Sequence, residues 1–382
     1  MDKIINKRFD EVFDLSLGRT PSRGVDSYWN GTHTWVSIAD MSCGKYISES
    51  KEYITDKALV ETNIPIVKKG TVIMSFKLSI GRVCIADTDL YTNEAIMAFV
   101  PKPQYKILSE YLYYYLMCYR WNNSNEVVLG FTLNKKTISQ SIVSIPPLAE
   151  QERIVEILDR KFEKIDALKT NAERSLQQAK DLFQSALKQE LQPKEGWYTA
   201  QLKDKVRVIN GRAYKKEELL GDGKYRVLRV GNFFTNESWY YSNLELDEDK
   251  YCEDGDLLYA WSASFGPKIW AGEKAIYHYH IWKMITNGNI DKRYLFYWLQ
   301  SSHLTNQVMS NLHGTTMAHI TKGIMETTII GFPSFEKQLN IVSRLDKLCA
   351  RCKALEENYT KTMALCDDMK QALLRQAFNG EL

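Results

Sequence analysis

The feature that most constrains this chain is that it repeats itself. Shifted by 187 positions, residues 146–190 meet residues 333–377 without a gap. Pro146, Gln151, Ile154, Val155, Leu158, Asp159, Ala167 and Leu168 fall on Pro333, Gln338, Ile341, Val342, Leu345, Asp346, Ala354 and Leu355. Asn171, Asp181, Gln184, Leu187 and Gln189 fall on Asn358, Asp368, Gln371, Leu374 and Gln376, which makes thirteen identities in 45 positions. The preceding segments also match. FDEVFDLSLGRT (9–20) resembles LKDKVRVINGRA (202–213), and KKGTVIMSFKLSIGRV (68–83) resembles EDGDLLYAWSASFGPK (253–268). YLYYYL (111–116) resembles YLFYWL (294–299), and GFTLNKKTI (130–138) resembles GTTMAHITKGI (314–324). The expected order is a globular domain at 1–145, a long helix at 146–192, a second domain at 193–331 and a second helix at 332–382.

Each globular half carries short β-rich runs, such as TVIMSF and YRVLRV, punctuated by Gly, Asn and Asp. One aromatic helix per half, near 107–121 and 291–303, makes the domains mixed α+β. The long helices carry heptads: Leu158, Ile165, Ala172, Ala179 and Ala186 with Leu168 and Leu182 as companions, then Leu345, Cys352, Tyr359, Cys366 and Leu373 with Leu348, Leu355 and Met369. Pro146-Pro147 suits a helix start, Glu150 and Glu152 suit its first turns, and Pro193 and Asn379-Gly380 suit the two ends. A helix of this length spans roughly 65 Å. Two similar halves relate by a pseudo-twofold axis, which makes the helices an antiparallel coiled coil.

Composition excludes several classes. No apolar run approaches the ~18 residues that span a membrane, and the N-terminus lacks the apolar core of a signal peptide. Seven scattered cysteines argue against a disulfide framework, so a cytoplasmic location is expected. Net charge is +3, and no segment departs strongly from neutrality. Any nucleic-acid role must use local patches or basic partners. No P-loop, dinucleotide fingerprint or adenine-methyltransferase Pro-Pro-aromatic motif is found. Cys349-x-x-Cys352 lies in the heptad and reads as buried thiols. His278-x-His280 places both rings on one strand face and reads as DNA contact or packing; neither is expected to hold a metal.

PPLAEQERI followed by a long helix resembles the conserved region of the DNA specificity subunit of type I restriction–modification systems. FPSFEKQLNI departs from that signature, but its register with the first copy ties it to the same pattern. Gly18, Gly211, VLRVGNF (227–233) and the Gly-Thr element before each helix belong to the same resemblance, which covers the whole chain. It implies two target-recognition domains, each reading one half of an asymmetric, bipartite site on double-stranded DNA. The helices then fix the spacer and dock two adenine methyltransferase subunits, with translocase–nuclease subunits completing the assembly. Catalysis, with its S-adenosylmethionine, ATP and Mg²⁺, belongs to those partners, so this chain is expected to be non-catalytic and to hold no cofactor.

Base reading needs Arg, Lys, Asn, Ser or Thr on loops that enter a groove. Three clusters recur in both halves: Arg19, Thr20 and Ser22 opposite Arg212, Lys215 and Lys216; Lys77, Ser79 and Arg82 opposite Ser264 and Lys268; and Thr132, Asn134, Lys135 and Lys136 opposite Thr315, Thr316 and His319. Arg229 and Asn232 join them. Gln151, Ile154, Gln338 and Ile341 are the expected partner-docking residues. Tyr111, Tyr113, Tyr114, Tyr115, Tyr297 and Trp298 could stack on bases, but their helical spacing favours the core. The rival readings are a coiled-coil scaffold without sequence reading and a stand-alone DNA enzyme.

Overall fold

A computed structural model describes residues 4–42, 44–77, 79–121, 133–262, 264–311 and 320–382, without the side chains of 305 and 308–311. The chain divides into two compact units: residues 1–171 with 362–382, and residues 172–361. Each unit therefore joins a globular part to the start of the helix that follows it and the end of the other helix.

In the first unit a five-stranded sheet runs in the order Phe13–Leu17, Ile96–Pro101, Val72–Ser75, Val83–Ala86, Tyr46–Ile47. VIMS and VCIA are buried at every position, so these strands are apolar throughout rather than alternating. A three-stranded sheet of Glu52–Ile54, Trp29–Val36 and Tyr91–Thr92 lies beside it in the chain order, its last pair parallel. The second unit uses the same plan. Val206–Asn210, Ile281–Thr286, Leu257–Ser262 and Ser264–Ile269 form one sheet; Tyr240–Ser242, Tyr225–Leu228, Ala275–Tyr277 and Tyr251–Cys252 form the other, again with one parallel pair, Tyr225–Leu228 with Ala275–Tyr277. A two-stranded antiparallel sheet closes each unit next to the long helix: Ile5–Arg8 with Ile142–Ile145, and Tyr198–Gln201 with Ile329–Phe332.

The aromatic helices Ser109–Cys118 and Lys292–Gln300 are core elements, and Tyr111, Tyr113, Tyr114, Tyr115, Tyr297 and Trp298 are all buried. Their hydroxyls reach the long helices: Tyr114 donates to Asp159, and Tyr297 donates to Asp346 at 2.5 Å. Lys45 and Arg293 pair with the same two carboxylates at 2.7 and 2.6 Å.

The long helices run Leu148–Glu190 and Phe335–Phe378. Within the first unit they are antiparallel, because Asp166 pairs with Lys370 while Lys169 pairs with Asp367 at 2.6 Å. Leu158, Ile165, Ala172, Ala179, Leu345, Cys352 and Cys366 are buried as the heptad predicts. The companion position differs. Leu168, Leu182, Leu355 and Met369 are 39–53% exposed. The buried partners lie four residues on from the leading position, at Phe162, Lys169, Leu176 and Phe183, and at Cys349, Glu356, Met363 and Lys370, all buried or half-buried. In this register each helix places charged side chains in the seam, Lys169 in one and Glu356 and Lys370 in the other, which a rule keyed to apolar residues passes over.

Gln151, Ile154, Gln338 and Ile341 are inside the protein, with both glutamines 0% exposed, so their side chains face no partner. Gln151 Nε2 donates to the carbonyls of Lys106 (3.0 Å) and Pro146 (2.9 Å), and its Oε1 accepts from the Leu108 N–H (2.9 Å). Gln338 repeats this with Asn289 (2.7 Å), Pro333 (3.0 Å) and Asp291 (2.9 Å). The primary amide is needed because it alone offers two donors and an acceptor at one point. Gln151→Ala leaves three backbone groups unpaired, and the expected loss is about 3 kcal/mol in urea unfolding. Gln338→Ala should do the same in the second unit. A loss below about 0.5 kcal/mol, the size of a neutral surface change, would refute the assignment.

Candidate nucleic-acid interface

Each globular part holds a frame of backbone hydrogen bonds around the Gly-Arg turn. Gly18 and Gly211 sit so close to the neighbouring chain that a Cβ would overlap the carbonyls of Thr92 and Tyr277. The N–H of Arg19 donates to Thr92 (2.8 Å), and that of Arg212 donates to Tyr277 (3.0 Å). Asn93 N–H donates to Val36 (3.2 Å), as His278 does to Leu228 (2.8 Å). Phe76 N–H donates to Ala95 (3.0 Å), as Trp261 does to His280 (3.1 Å). The turn after the parallel strand closes alike: Ser37 N–H donates to Asp40 (2.9 Å), and Arg229 N–H donates to Asn232 (2.7 Å).

These bonds match positions 37, 93, 94 and 95 with 229, 278, 279 and 280. The side chains there are Ser, Asn, Glu and Ala in the first frame, and Arg, His, Tyr and His in the second. The first frame is acidic: Thr20 donates to Glu94 at 2.5 Å, and this bond, with Lys77 nearby, holds the carboxylate below its usual range. The second is aromatic and basic. The Tyr279 and His280 ring centroids lie 3.9 Å apart, and Trp261 and His280 lie 5.0 Å apart. Burial, then His280 and Arg229, pushes the His278 imidazole down to about 4. Arg229, His278 and His280 are singled out in the sequence, but positions 37, 93, 94, 95 and 279 are not, although WVSIADM (35–41) set over VLRVGNF (227–233) and TNEAI (92–96) over YHYHI (277–281) exposes them.

Several candidate cations are engaged by the scaffold. The Arg19 guanidinium donates to Thr62 (3.0 Å), Arg82 donates to Ile38 and Ser42 (3.0 and 2.9 Å), and Arg212 forms a two-bond pair with Glu218 (3.0 and 2.8 Å). Lys268 donates to the Phe233 carbonyl at 2.5 Å, and burial pushes its pKa down. Asn232 is buried, spending its amide on the Arg229 N–H and the Val227 carbonyl (3.1 Å). These five are expected DNA contacts; in the structure their side chains bond neighbouring turns, with Arg19 still exposed. Asn134 caps the short helix Lys135–Gln140, bonding Thr137 N–H at 2.9 Å. Ser79 is half-buried, and its carbonyl accepts the Ser75 hydroxyl. Ser22, Lys77, Lys135, Lys136, Lys215, Lys216 and Ser264 are exposed. Thr132, Thr315, Thr316 and His319 lie outside the described residues. Cys352 is buried in the helix seam, and among the described residues no group of His, Cys, Asp and Glu is arranged to hold a metal ion. No helix among them is long and apolar enough to cross a membrane.

A chain made of two copies of one mixed domain, each followed by a long helix, is an internally duplicated two-domain protein. It belongs to the type I restriction modification DNA specificity domain family, whose model matches residues 1–178 and again 194–363. It is 23% identical to the type I restriction enzyme MjaIX specificity subunit of Methanocaldococcus jannaschii over 98% of this chain and 93% of the relative. It is 26% identical to the EcoKI specificity subunit of Escherichia coli over 74% of this chain and 68% of that one. Among solved structures, one described as underlying complex assembly and conformational transition of the type I R-M system matches with a TM-score of 0.80 at 18% identity, over 99% and 98% of the two chains. The HsdS subunit from Thermoanaerobacter tengcongensis matches at 0.54, also 18% identical, over 99% and 97%. Both likenesses support the fold.

The second frame carries a pH signature. An unfolded imidazole titrates near 6.5, whereas His278 in the folded protein titrates near 4. Between those values the unfolded chain binds the extra proton, so stability is complete above pH 6.5 and lost as pH falls through the window. His278→Asn is expected to flatten the dependence of melting temperature on pH there. An unchanged slope would refute it.

Proposed function

We propose that this chain is the sequence-reading subunit of a type I restriction–modification complex and that each unit reads one half of an asymmetric, bipartite site on double-stranded DNA. The long helices fix the spacer and dock two adenine methyltransferase subunits, to which translocase–nuclease subunits are added. This chain performs no chemistry, and S-adenosylmethionine, ATP and Mg²⁺ serve those partners, all in the cytoplasm. The observation that carries the reading is the pair of frames: one backbone hydrogen-bond pattern carries Ser, Asn and Glu in one unit and Arg, His and Tyr in the other. Unlike side chains on like frames suit readers of two different half-sites, because base edges are distinguished by their donors and acceptors.

The helices support the docking role through their outward apolar positions, not through Gln151, Ile154, Gln338 or Ile341. Leu168, Leu365 and Met369 in the first unit are 47–50% exposed, as large apolar side chains are where a helix awaits another surface. Leu168→Lys combined with Met369→Lys should leave the melting temperature unchanged but abolish co-purification with the methyltransferase subunit. Normal assembly of the double variant would sink this assignment.

Methylation mapping in a host carrying the system tests the reading itself. The expected result is a methylated site with two unlike halves, and a perfect palindrome would overturn it. Inserting seven residues into one helix adds about 10 Å and should change the spacer or abolish binding. Unchanged spacing and affinity would exclude the helix as a ruler.

A further inference from the structure

One residue of the second frame stands apart. Arg19, Arg82 and Arg212 are held by scaffold acceptors, but among the described residues no carboxylate or carbonyl is bonded to the Arg229 guanidinium. The Tyr240 ring lies 5.1 Å from it and gives it a flat support. Its backbone cannot wander, because its N–H is bonded to the buried Asn232 amide at 2.7 Å. Arg229 lines a cavity of about 530 Å³ with Asn232, Glu237, Tyr240, His278 and His280. Ser37 occupies the matching place in the first frame, so this cationic fork has no counterpart there.

We infer that this cavity is a base-edge site and that Arg229 is a specificity-determining residue reading a G·C pair in the half-site of the second unit. The inference rests on the DNA reading proposed above. The chemistry selects a base over a phosphate on two grounds. A guanidinium fork matches the O6 and N7 acceptors of guanine in the major groove, and a carboxylate accepts from the N4 amine of the paired cytosine. Arg229 and Glu237 line one cavity and supply both. A phosphate site would gain nothing from Glu237, whose charge repels it. The two imidazoles and Tyr240 line the walls, and the Tyr240 ring supports the fork.

The test uses the full chain assembled with its methyltransferase subunits and a library of duplexes randomised in both half-sites, read by binding selection and by methylation. Arg229→Ala and Arg229→Lys are compared with the unaltered complex, each checked for an unchanged melting temperature. Both variants should lose preference at one base pair of the second half-site by roughly 10- to 100-fold, because lysine keeps the charge but not the fork. Preference in the first half-site should be intact. Weakening that is uniform over all sequences and rescued by lysine would identify a phosphate contact and overturn the inference. Unaltered preference in both variants would overturn it too. In either case the two-half reading stands, because the unaltered complex still selects a sequence. An unaltered complex that selects no sequence would instead remove that reading, and this inference with it.

Discussion

The geometry of this protein depends on two glutamine amides. A helix of 43 residues is roughly 65 Å long, so an error of about 10° in the direction it leaves its domain becomes about 11 Å at its tip. Gln151 and Gln338 fix that direction at the base by joining three backbone groups to the first turns of each helix. Two turns further on, Asp159 and Asp346 are each gripped by a tyrosine hydroxyl and a cation. Two points along an axis define its direction. The repeat identities at Pro, Gln, Ile, Leu and Asp are therefore those of a joint between a domain and its own helix. Leu187 and Leu374, another identity pair, are fully buried at the far ends, where each helix meets the core that includes the start of the other.

The seam between the helices shows a different economy. Lys169 with Asp367 and Lys370 with Asp166 are partly exposed pairs, and such pairs contribute little stability. Their value lies in register. A slip of one heptad would set Lys169 against Thr360 or Leu374 and Asp367 against Phe162 or Leu176, so charge chooses among alignments that alanine and leucine alone would accept. Because these polar groups take up companion positions, Leu168, Leu355 and Met369 are turned outward.

Much of this is legible from residues alone. The gapless repeat predicts two domains and two helices, and helical spacing places the tyrosine cluster in the core, because both signals come from long runs. The companion stripe reads one position off, since Leu168 and Met369 look like core residues and their neighbours Lys169 and Lys370 do not. Gln151 and Gln338 read as docking residues because a polar side chain beside an apolar stripe looks exposed. Only the backbone carbonyls of Lys106 and Asn289, more than forty residues away, show what each amide bonds. The same limit applies to Arg82, Arg212 and Lys268. A basic residue on a loop carries no local mark that distinguishes one facing solvent from one holding a neighbouring turn.

The separation of scaffold cations from presented side chains bears on how such a chain can change what it reads. The shared bonds of the frame come from backbone N–H and C=O groups, which every residue but proline supplies, so the side chains at 94, 229 and 279 can be replaced without removing those bonds. Asn93, which accepts from the Ala95 N–H, His278, whose Nδ1 accepts from the His280 N–H, and the buried Ala95 belong to the frame itself. Side chains that stabilise the turns, such as Asn232, cannot be exchanged so freely, because their loss strands buried donors and acceptors. Ser37 and Arg229 make the same backbone bond, each N–H donating to the side chain three residues on, while their own side chains differ in size and charge. A net charge of only +3 fits the same division. Three frame arginines are committed to the scaffold, and the near balance of acids and bases leaves little net attraction for phosphates, whose contacts supply the affinity that is blind to sequence. On the proposed reading, the two units contribute discrimination and the partner subunits contribute the grip, so that binding is strong only where both half-sites match.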